Sequence, residues 1–275
     1  MSPWLLGPKG RVHPGVLTLL AGAPLFAAVQ STLPPRTSCT TAELSLTFLG
    51  DPPGGPGDLI AAGRIVATAG DTGLSEVRIT GEGDRLVAFG TARCLIFPPA
   101  AEVSPFLGVP HVEPQWKTPD PWERPLPEPP AEVPGDMSGL ELLSARLHGQ
   151  RPPPPIDRLT GTCLLEASDG RVVFAMPASG WLCQEFGAIF GGAIALLGLS
   201  AASAAVQTTA DAGTAFAALD VKVNLLHPVL PDDQDLVATG TVLHRGRRLA
   251  IGTSEVRHGD RRVAVVTGTT QLIRR

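Results

Sequence analysis

The chain contains no tyrosine, and aromatic residues make up only 5% of it. Charged residues are also scarce, at 17%, whereas apolar residues reach 43%; this balance excludes an intrinsically disordered protein and predicts a packed globular one. The formal net charge of -4 argues against general nucleic-acid binding, which needs an excess of positive charge. With 275 residues, the chain is long enough for one large domain or two of ordinary size.

Cysteine is sparse as well. Cys39, Cys94, Cys163 and Cys183 lie far apart, with no Cys-x-x-Cys pair and no histidine at zinc-finger spacing. This pattern predicts neither a disulfide framework nor a structural metal site. We therefore expect free thiols, no bound metal, and a location in the reducing cytoplasm.

Two long apolar stretches resemble membrane segments. Residues 16–29 follow Lys9 and Arg11, as in a secretory signal peptide, and residues 187–206 are about long enough to span a bilayer. Both stretches are rich in Ala, Gly and Ser and poor in Phe and Ile, which weakens the case for a membrane.

An internal repeat explains both stretches. When the chain is shifted by 177 positions, Gly10 falls on Gly187, residues 27–30 (Ala-Ala-Val-Gln) fall on the same four residues at 204–207, and the alternating apolar residues of 44–48 fall on those of 221–225. The chain is therefore a tandem duplication of a unit of roughly 90 residues or more. Since a signal peptide has no reason to recur in mid-chain, we expect both stretches to be buried helices and no membrane association.

Proline divides the two copies. Residues 98–134 contain twelve prolines in 37 residues, which excludes regular helix or sheet interior there. We expect an N-terminal domain at residues 1–97, truncated at its start, a proline-rich linker at 98–135 and a C-terminal domain at 136–275. Trp116 and Trp122 suggest that the linker packs on the surface.

The patterning of the second copy predicts a mixed α+β domain. A short helix is expected at 138–148, a hairpin at 162–176, a long apolar helix at 187–207, and then four strands near 216–226, 236–244, 248–257 and 262–272. The first copy has the same helix and strands, but only nine residues precede Gly10, which leaves no room for the leading hairpin. A helix that is apolar on all sides and followed by an antiparallel meander predicts a sheet wrapped around the helix.

Three segments of the second copy carry a resemblance to a known family. They read Gly-Ala-Ile-Phe-Gly-Gly at 187–192, Asp-Val-Lys-Val-Asn-Leu-Leu-His-Pro at 220–228 and His-Arg-Gly-Arg at 244–247. These are similar to the signatures of the hotdog-fold acyl-CoA thioesterase superfamily, of the phenylacetate-pathway type. The resemblance implies a double hotdog, in which each half is a long apolar helix wrapped by an antiparallel β-sheet.

The resemblance places an oxyanion site at the start of the second long helix. Free N–H groups and the positive end of the helix dipole suit the oxyanion of thioester hydrolysis, and Gly191 and Gly192 allow the thioester to approach closely. Gly15 is the equivalent in the first copy, where Pro14 removes one donor. The alternative is that these glycines only permit a tight turn and close packing.

The general base of the family is missing from both copies. The usual Asp or Glu of the helix is Leu199 in the second copy and Gly22 in the first, and neither helix contains an acid. The usual His is His13 in the first copy and Phe190 in the second.

Four substitutes for the base or its assistants remain open. Asp220 resembles the catalytic Asp of two-hotdog thioesterases, with Gln271 as its assisting Gln, although the alternation around Asp220 is also typical of a strand with a solvent face. Glu185 precedes the helix and is otherwise a solvated loop acid. His13 is a suitable base by type, but a His near a helix start is more often a capping or packing residue.

Candidate substrate contacts complete the prediction. Arg245, Arg247 and Arg248 cluster at a hairpin where coenzyme A phosphates are expected, or they form an ordinary charged turn. Asn224 belongs to the strand motif, and Phe190 and Leu199 are expected in an apolar lining for the acyl group, together with Leu196 and Phe216.

We expect a thioester hydrolase acting on acyl-CoA, with the missing carboxylate leaving a non-catalytic acyl-thioester binding protein as the alternative. A hydratase would want an Asp–His pair of the Asp-x-Asn-Pro-x-His kind, which is not found. No cofactor is expected beyond coenzyme A as part of the substrate. The expected partners are small acyl thioesters and no nucleic acid, and a homo-oligomer of double-hotdog units is compatible with the duplication.

Overall fold

The structure is a computed structural model, and it describes residues 2–49, 57–97, 125, 127–128, 132–184 and 187–274. Most of the expected linker, with Trp116 and Trp122, lies outside the described residues, as does Glu185. The predicted domain boundaries therefore stay predictions.

The first half contains one long helix and four strands. Helix α1 spans Pro14–Gln30 and is followed by β1 (Ser38–Phe48), β2 (Ile60–Ala69), β3 (Thr72–Thr80) and β4 (Leu86–Phe97).

The second half repeats this order behind a leading segment. That segment consists of α2 (Gly139–Leu147), α3 (Pro155–Thr160), β5 (Cys163–Ser168) and β6 (Arg171–Pro177). Helix α4 (Gly191–Thr208) and strands β7 (Thr214–Leu225), β8 (Asp235–Arg245), β9 (Leu249–His258) and β10 (Arg261–Arg274) follow. The short helix α3 was not anticipated, because the run of prolines before it was interpreted only as a helix stop.

All ten strands form one antiparallel sheet in the order β2-β3-β4-β1-β7-β10-β9-β8-β6-β5. The halves meet at β1 and β7, where Leu44 pairs with Val223 and Leu46 with Val221. Because Leu44 and Val221 are equivalent in the repeat, the two halves are related by a twofold axis near the Ser45–Lys222 pair. The prediction of an α+β double hotdog is confirmed.

Both long helices lie against the inner face of this sheet. The sheet backbone approaches them closely where glycines recur: a β-carbon at Gly63 would collide with Pro24 of α1, and one at the equivalent Gly240 with Ala201 of α4. Helix α4 is long and apolar enough to cross a membrane, but 83% of it is buried inside the fold. Its apolar character is therefore accounted for by core packing.

Helix α4 begins later than the expected residue 187, and α1 begins at the equivalent position of the first half. They start at Pro14 and Gly191, four residues after Gly10 and Gly187, which have positive φ of 68° and 80°. In each half, the segment that leads into the helix forms an isolated β-bridge. These are Leu6–Val12 and Cys183–Ile189, again 177 positions apart.

The repeat also extends further towards the N-terminus than the sequence comparison found. Short 3-10 turns at Pro3–Leu5 and Gly180–Leu182 are equivalent, and each is capped by a serine hydroxyl, from Ser2 and Ser179. Each turn presents one tryptophan, Trp4 or Trp181.

The described part of the first half has no counterpart of α2, β5 and β6. One flank of α1 is uncovered as a result: Ala23 and Ala27 are exposed, whereas the equivalent Ser200 and Ala204 of α4 are buried. In the second half α2 packs on α4 at a point where a β-carbon on Gly139 would collide with Gln207.

Candidate functional site

Helices α1 and α4 run antiparallel and touch through their first turns. A β-carbon at Gly15 would lie 3.0 Å from the α-carbon of Leu196, and one at Gly192 would lie 2.9 Å from the α-carbon of Leu19, which is equivalent to Leu196. The Thr18 hydroxyl bonds to the carbonyl oxygen of Gly192 at 3.1 Å. Each helix start therefore lies against the second turn of the other helix.

The start of α4 has free hydrogen-bond donors. Phe190 occupies the capping position without a side-chain bond to the helix, and its carbonyl accepts only from the N–H groups of Ala193 and Ile194. No described residue accepts a hydrogen bond from the N–H of Gly191 or Gly192. At helix starts in general, uncapped N–H donors and the positive end of the helix dipole attract anionic oxygens.

The start of α1 is capped instead. Pro14 has no N–H, and the Gly15 N–H donates to Nδ1 of His13 at 3.1 Å. Burial, reinforced by the charge of Arg146, lowers the pKa of His13 to about 4. His13 is thus neutral near pH 7, with the Nδ1 lone pair engaged by the helix, which is the capping role left open above.

The start of α1 is also covered. Trp4, Val12 and Val16 pack with Ile156 and Leu159 of α3 in one buried cluster.

Beside this cluster, Arg146 of α2 forms an ion pair with Asp157 of α3, with side chains only 12% and 4% exposed. Burial raises the pKa of Asp157, and Arg146 opposes that rise. The start of α1 is thus covered on one side by the segment that precedes the second half, while Val12 and Val16 also line a smaller cavity of about 450 Å³.

A cavity of about 770 Å³ opens at the start of α4. Phe190 and Ala193, which flank the two glycines, line it together with Trp181, one flank of α1 and part of α3. The lining is mostly apolar, and none of the described residues that form it carries a charge. This volume is typical of sites for small-molecule ligands.

The two positions that carry the acid in the family hold no base. A β-carbon at Gly22 would lie 2.7 Å from Cζ of Phe190, so the phenyl ring fills the space of a side chain there. Leu199 is buried in the core that α1 and α4 share.

Asp220 and Gln271 lie away from the helix start. Asp220 is on the outer face of β7, where it accepts a hydrogen bond from the Thr269 N–H at 3.1 Å beside a bulge in β10. Leu225, which approaches Gly191, lies five residues further along β7, or about 16 Å. Gln271 is exposed, two residues beyond Thr269 on the same strand.

The remaining predicted contacts are also dispersed. Asn224 points outward on β7, opposite Glu43 and Val265. Arg245 donates from Nε to the Thr209 hydroxyl at 3.1 Å and so holds the C-terminal end of α4, an 18-residue helix whose ends are about 27 Å apart. Arg247 and Arg248 are exposed in the adjoining turn. The structure does not bring these arginines to Gly191 and Gly192.

Of the residues that line the cavity, only Phe190 was predicted from the sequence, and the segment of Trp181, Cys183 and Gln184 before α4 is among those that were not. Burial raises the pKa of Cys183 to about 11, so its thiol stays protonated and is not a ready nucleophile. The signal that would have found this segment is the repeated Ser-x-Trp-Leu of residues 2–5 and 179–182.

Fold and site together define a double hotdog protein with one closed and one open helix start. The profile of the thioesterase superfamily matches residues 186–265, which include the open start and most of the sheet of the second half. Residues 186–265 are thus similar to the thioesterase superfamily, and the internal repeat extends the same fold to the first half.

One solved structure supports the fold over the whole chain. A proposed thioesterase of Novosphingobium aromaticivorans matches over 100% of this chain and 93% of its own, with a TM-score of 0.60 and 16% identity. The E. coli PaaI protein of the phenylacetic acid degradation operon matches over 50% of this chain and 96% of its own (TM-score 0.44, 20% identity), and a Haemophilus influenzae thioesterase over 42% and 80% (TM-score 0.40, 22% identity). No curated protein matches the chain.

Proposed function

We propose that this protein binds an acyl thioester, such as an acyl-CoA, with the thioester carbonyl oxygen at the first turn of α4, and that it hydrolyses the thioester there. The observation that carries the proposal is the pair of uncapped donors at Gly191 and Gly192, flanked by Phe190 and Ala193, which line an apolar cavity of about 770 Å³. No cofactor enters the proposal, because coenzyme A is part of the substrate.

The donors suit the charge that develops during hydrolysis. Attack of water on the carbonyl carbon converts the carbonyl oxygen into an oxyanion, and fixed N–H groups at a helix start stabilise that charge without reorganisation. The apolar lining suits an uncharged acyl group, since no charged residue among those described is desolvated when the group enters.

Hydrolysis also needs a group that activates water. Glu185 is the candidate we propose, because it directly follows Gln184, which lines the cavity, and because the other candidates are engaged elsewhere. His13 caps α1, and Asp220 accepts the Thr269 N–H on the outer face of the sheet.

Binding without hydrolysis is the second candidate function. It is favoured by one observation: the ring of Phe190 occupies the space at Gly22 where the family's acid would project. The same uncapped helix start then serves as a binding site for the thioester carbonyl.

Thiol release from short, medium, long and aromatic acyl-CoAs, measured beside calorimetric binding, separates these functions. We expect turnover by the wild type and its loss in Glu185→Gln, with binding retained. Asp220→Asn is the matched control, a carboxylate-to-amide change on the outer face that should leave turnover unchanged. Binding without any turnover would support the second candidate, and absence of both would contradict the proposal.

A further inference from the structure

One flank of α1 forms a long wall of the cavity. Leu19, Ala23, Ala27 and Ser31 line it at four-residue intervals, so they share one face of the helix. At 1.5 Å per residue this stripe is about 18 Å long. We call it the α1 trough.

The α1 trough is continuous with the start of α4. Leu19 lies at its near end, with its α-carbon 2.9 Å from the position of a β-carbon on Gly192. The far end is polar, but its polar groups are satisfied within the protein. The Gln30 amide donates to the Thr37 carbonyl at 2.9 Å and accepts from the Cys39 N–H at 3.1 Å.

The trough exists because the two halves differ. In the second half the equivalent stripe of α4 is covered, so that Ser200 and Ala204 are buried, whereas Ala23 and Ala27 are exposed. Small alanine side chains line the middle of the trough along α1, and most of the residues that line the cavity are apolar.

We propose that the α1 trough binds the acyl chain of a straight-chain acyl thioester and measures its length; this rests on the proposed function. With carbon–carbon bonds of about 1.5 Å, an extended chain advances about 1.25 Å per carbon, so 18 Å holds about 14 carbons. Ala23 then lies about 5 carbons beyond Leu19, and Ala27 about 10. The cavity volume of about 770 Å³ leaves room for the adjoining part of the thioester carrier.

The occupant follows from this continuity. A chain whose carbonyl sits at Gly191 and Gly192 has its apolar tail directed along the trough, and each methylene that leaves water strengthens binding by about fourfold. The gain should stop once the chain reaches the far end near Gln30 and Ser31.

The test measures binding of butyryl-, octanoyl-, dodecanoyl- and hexadecanoyl-CoA by calorimetry. For the wild type, affinity should rise up to dodecanoyl-CoA and level off by hexadecanoyl-CoA. Ala27→Phe should weaken dodecanoyl-CoA by about tenfold or more while leaving octanoyl-CoA within about twofold. Ala23→Phe should weaken octanoyl-CoA as well. Ala62→Phe, at an exposed alanine of β2, is the matched control and should change nothing.

Butyryl-CoA reports on the carbonyl site alone and confirms that each variant is folded. The proposal that the α1 trough binds the acyl chain would be overturned if the Ala23 and Ala27 variants bound all four acyl-CoAs as tightly as the wild type. A wild-type affinity independent of chain length would also overturn it, and in both cases the proposed function would stand if butyryl-CoA binds. Failure of the wild type to bind any of the four would overturn the proposed function and the trough together.

Discussion

The two helix starts of this molecule began as copies of one unit and now differ in every feature that bears on chemistry. At α1, His13 caps the first turn and Pro14 lacks a donor, whereas at α4 the equivalent residues are Phe190 and Gly191. The α1 start packs against α3, whereas Phe190 and Ala193 of the α4 start line the cavity of about 770 Å³. Duplication thus preserves the sheet and the helix packing while one of two equivalent sites closes.

The difference shows which parts of the unit the fold requires. Gly15 and Gly192 are both kept, because each packs against the leucine of the opposite helix. The residue before them differs between the halves, Pro14 in one and Gly191 in the other, and it changes the number of N–H donors at the helix start. The helix contact is therefore a structural requirement of both halves, and the open donors are a property of one.

The closed start depends on a buried ion pair, and removing one partner gives the largest stability change that we expect. Arg146→Ala leaves the Asp157 carboxylate buried without its partner, so the free energy of unfolding should fall by about 3 kcal/mol. The double variant Arg146→Met/Asp157→Leu removes both charges and should cost much less. Urea unfolding measures both, and a single variant as stable as the wild type would show that the cover over α1 does not rely on this pair.

The capping histidine makes the stability of the α1 start depend on pH. The folded protein holds the pKa of His13 near 4, whereas an unfolded His has a pKa of about 6.5, so the unfolded chain takes up the proton first. The contribution of His13 is complete above about pH 6.5 and is lost as the pH falls towards 4. His13→Asn keeps a capping acceptor without titrating there. Parallel pH curves of unfolding free energy for the two proteins would contradict the assignment.

The cap itself has a smaller effect at neutral pH. His13→Ala removes the acceptor of the Gly15 N–H and should lower the free energy of unfolding by about 1 kcal/mol. His13→Asn should restore most of the loss. If alanine and asparagine at this position give equal stability, the hydrogen bond to Gly15 is not a stabilising cap.

Chemical labelling of Cys183 probes the cavity near the start of α4, and we expect it to show the smallest effect of these predictions. Cys183 lines the cavity and its pKa is raised to about 11, so alkylation at pH 8 should be slow and should slow further, by several-fold, with bound acyl-CoA. Cys163 is exposed and outside the lining, and its labelling rate in the same sample should not respond to the ligand. Mass spectrometry of the labelled peptides measures both, and equal protection of the two thiols would argue against a ligand in the cavity.

The architecture could be predicted from the sequence because the internal repeat and the alternation of apolar residues are visible in the sequence itself. The alternation of 44–48 and of 221–225 predicted strands, which the structure has as β1 and β7, and the alternation over 162–176 predicted the leading hairpin of β5 and β6. The start of α4 was placed four residues early because Gly187 continues the apolar pattern but adopts a positive φ in a loop.

Only part of the candidate site could be predicted from the sequence. Gly191 and Gly192 were found from their motif, but the openness of one start and the closure of the other arise from packing between distant segments, such as α3 against Trp4. The alternation of polar and apolar residues around Asp220 predicted, as an alternative to a catalytic role, that Asp220 lies on a solvent face. The structure places Asp220 on the outer face of β7. The arginines were expected near the substrate, yet Arg245 holds the far end of α4, which no local pattern indicates.

The most direct test exchanges the residues that distinguish the two helix starts. Gly191→Pro removes one donor and matches Pro14, and proline is compatible with the first position of a helix; only the mobile end of Leu225 must move. Its counterpart, Pro14→Gly, restores a glycine at α1. With thiol release from acyl-CoA as the measurement, Gly191→Pro should lower turnover by about 100-fold or more, and Pro14→Gly should leave it within about twofold. Undiminished turnover in Gly191→Pro, or a rate that responds to Pro14→Gly instead, would contradict the assignment of the thioester site to the start of α4.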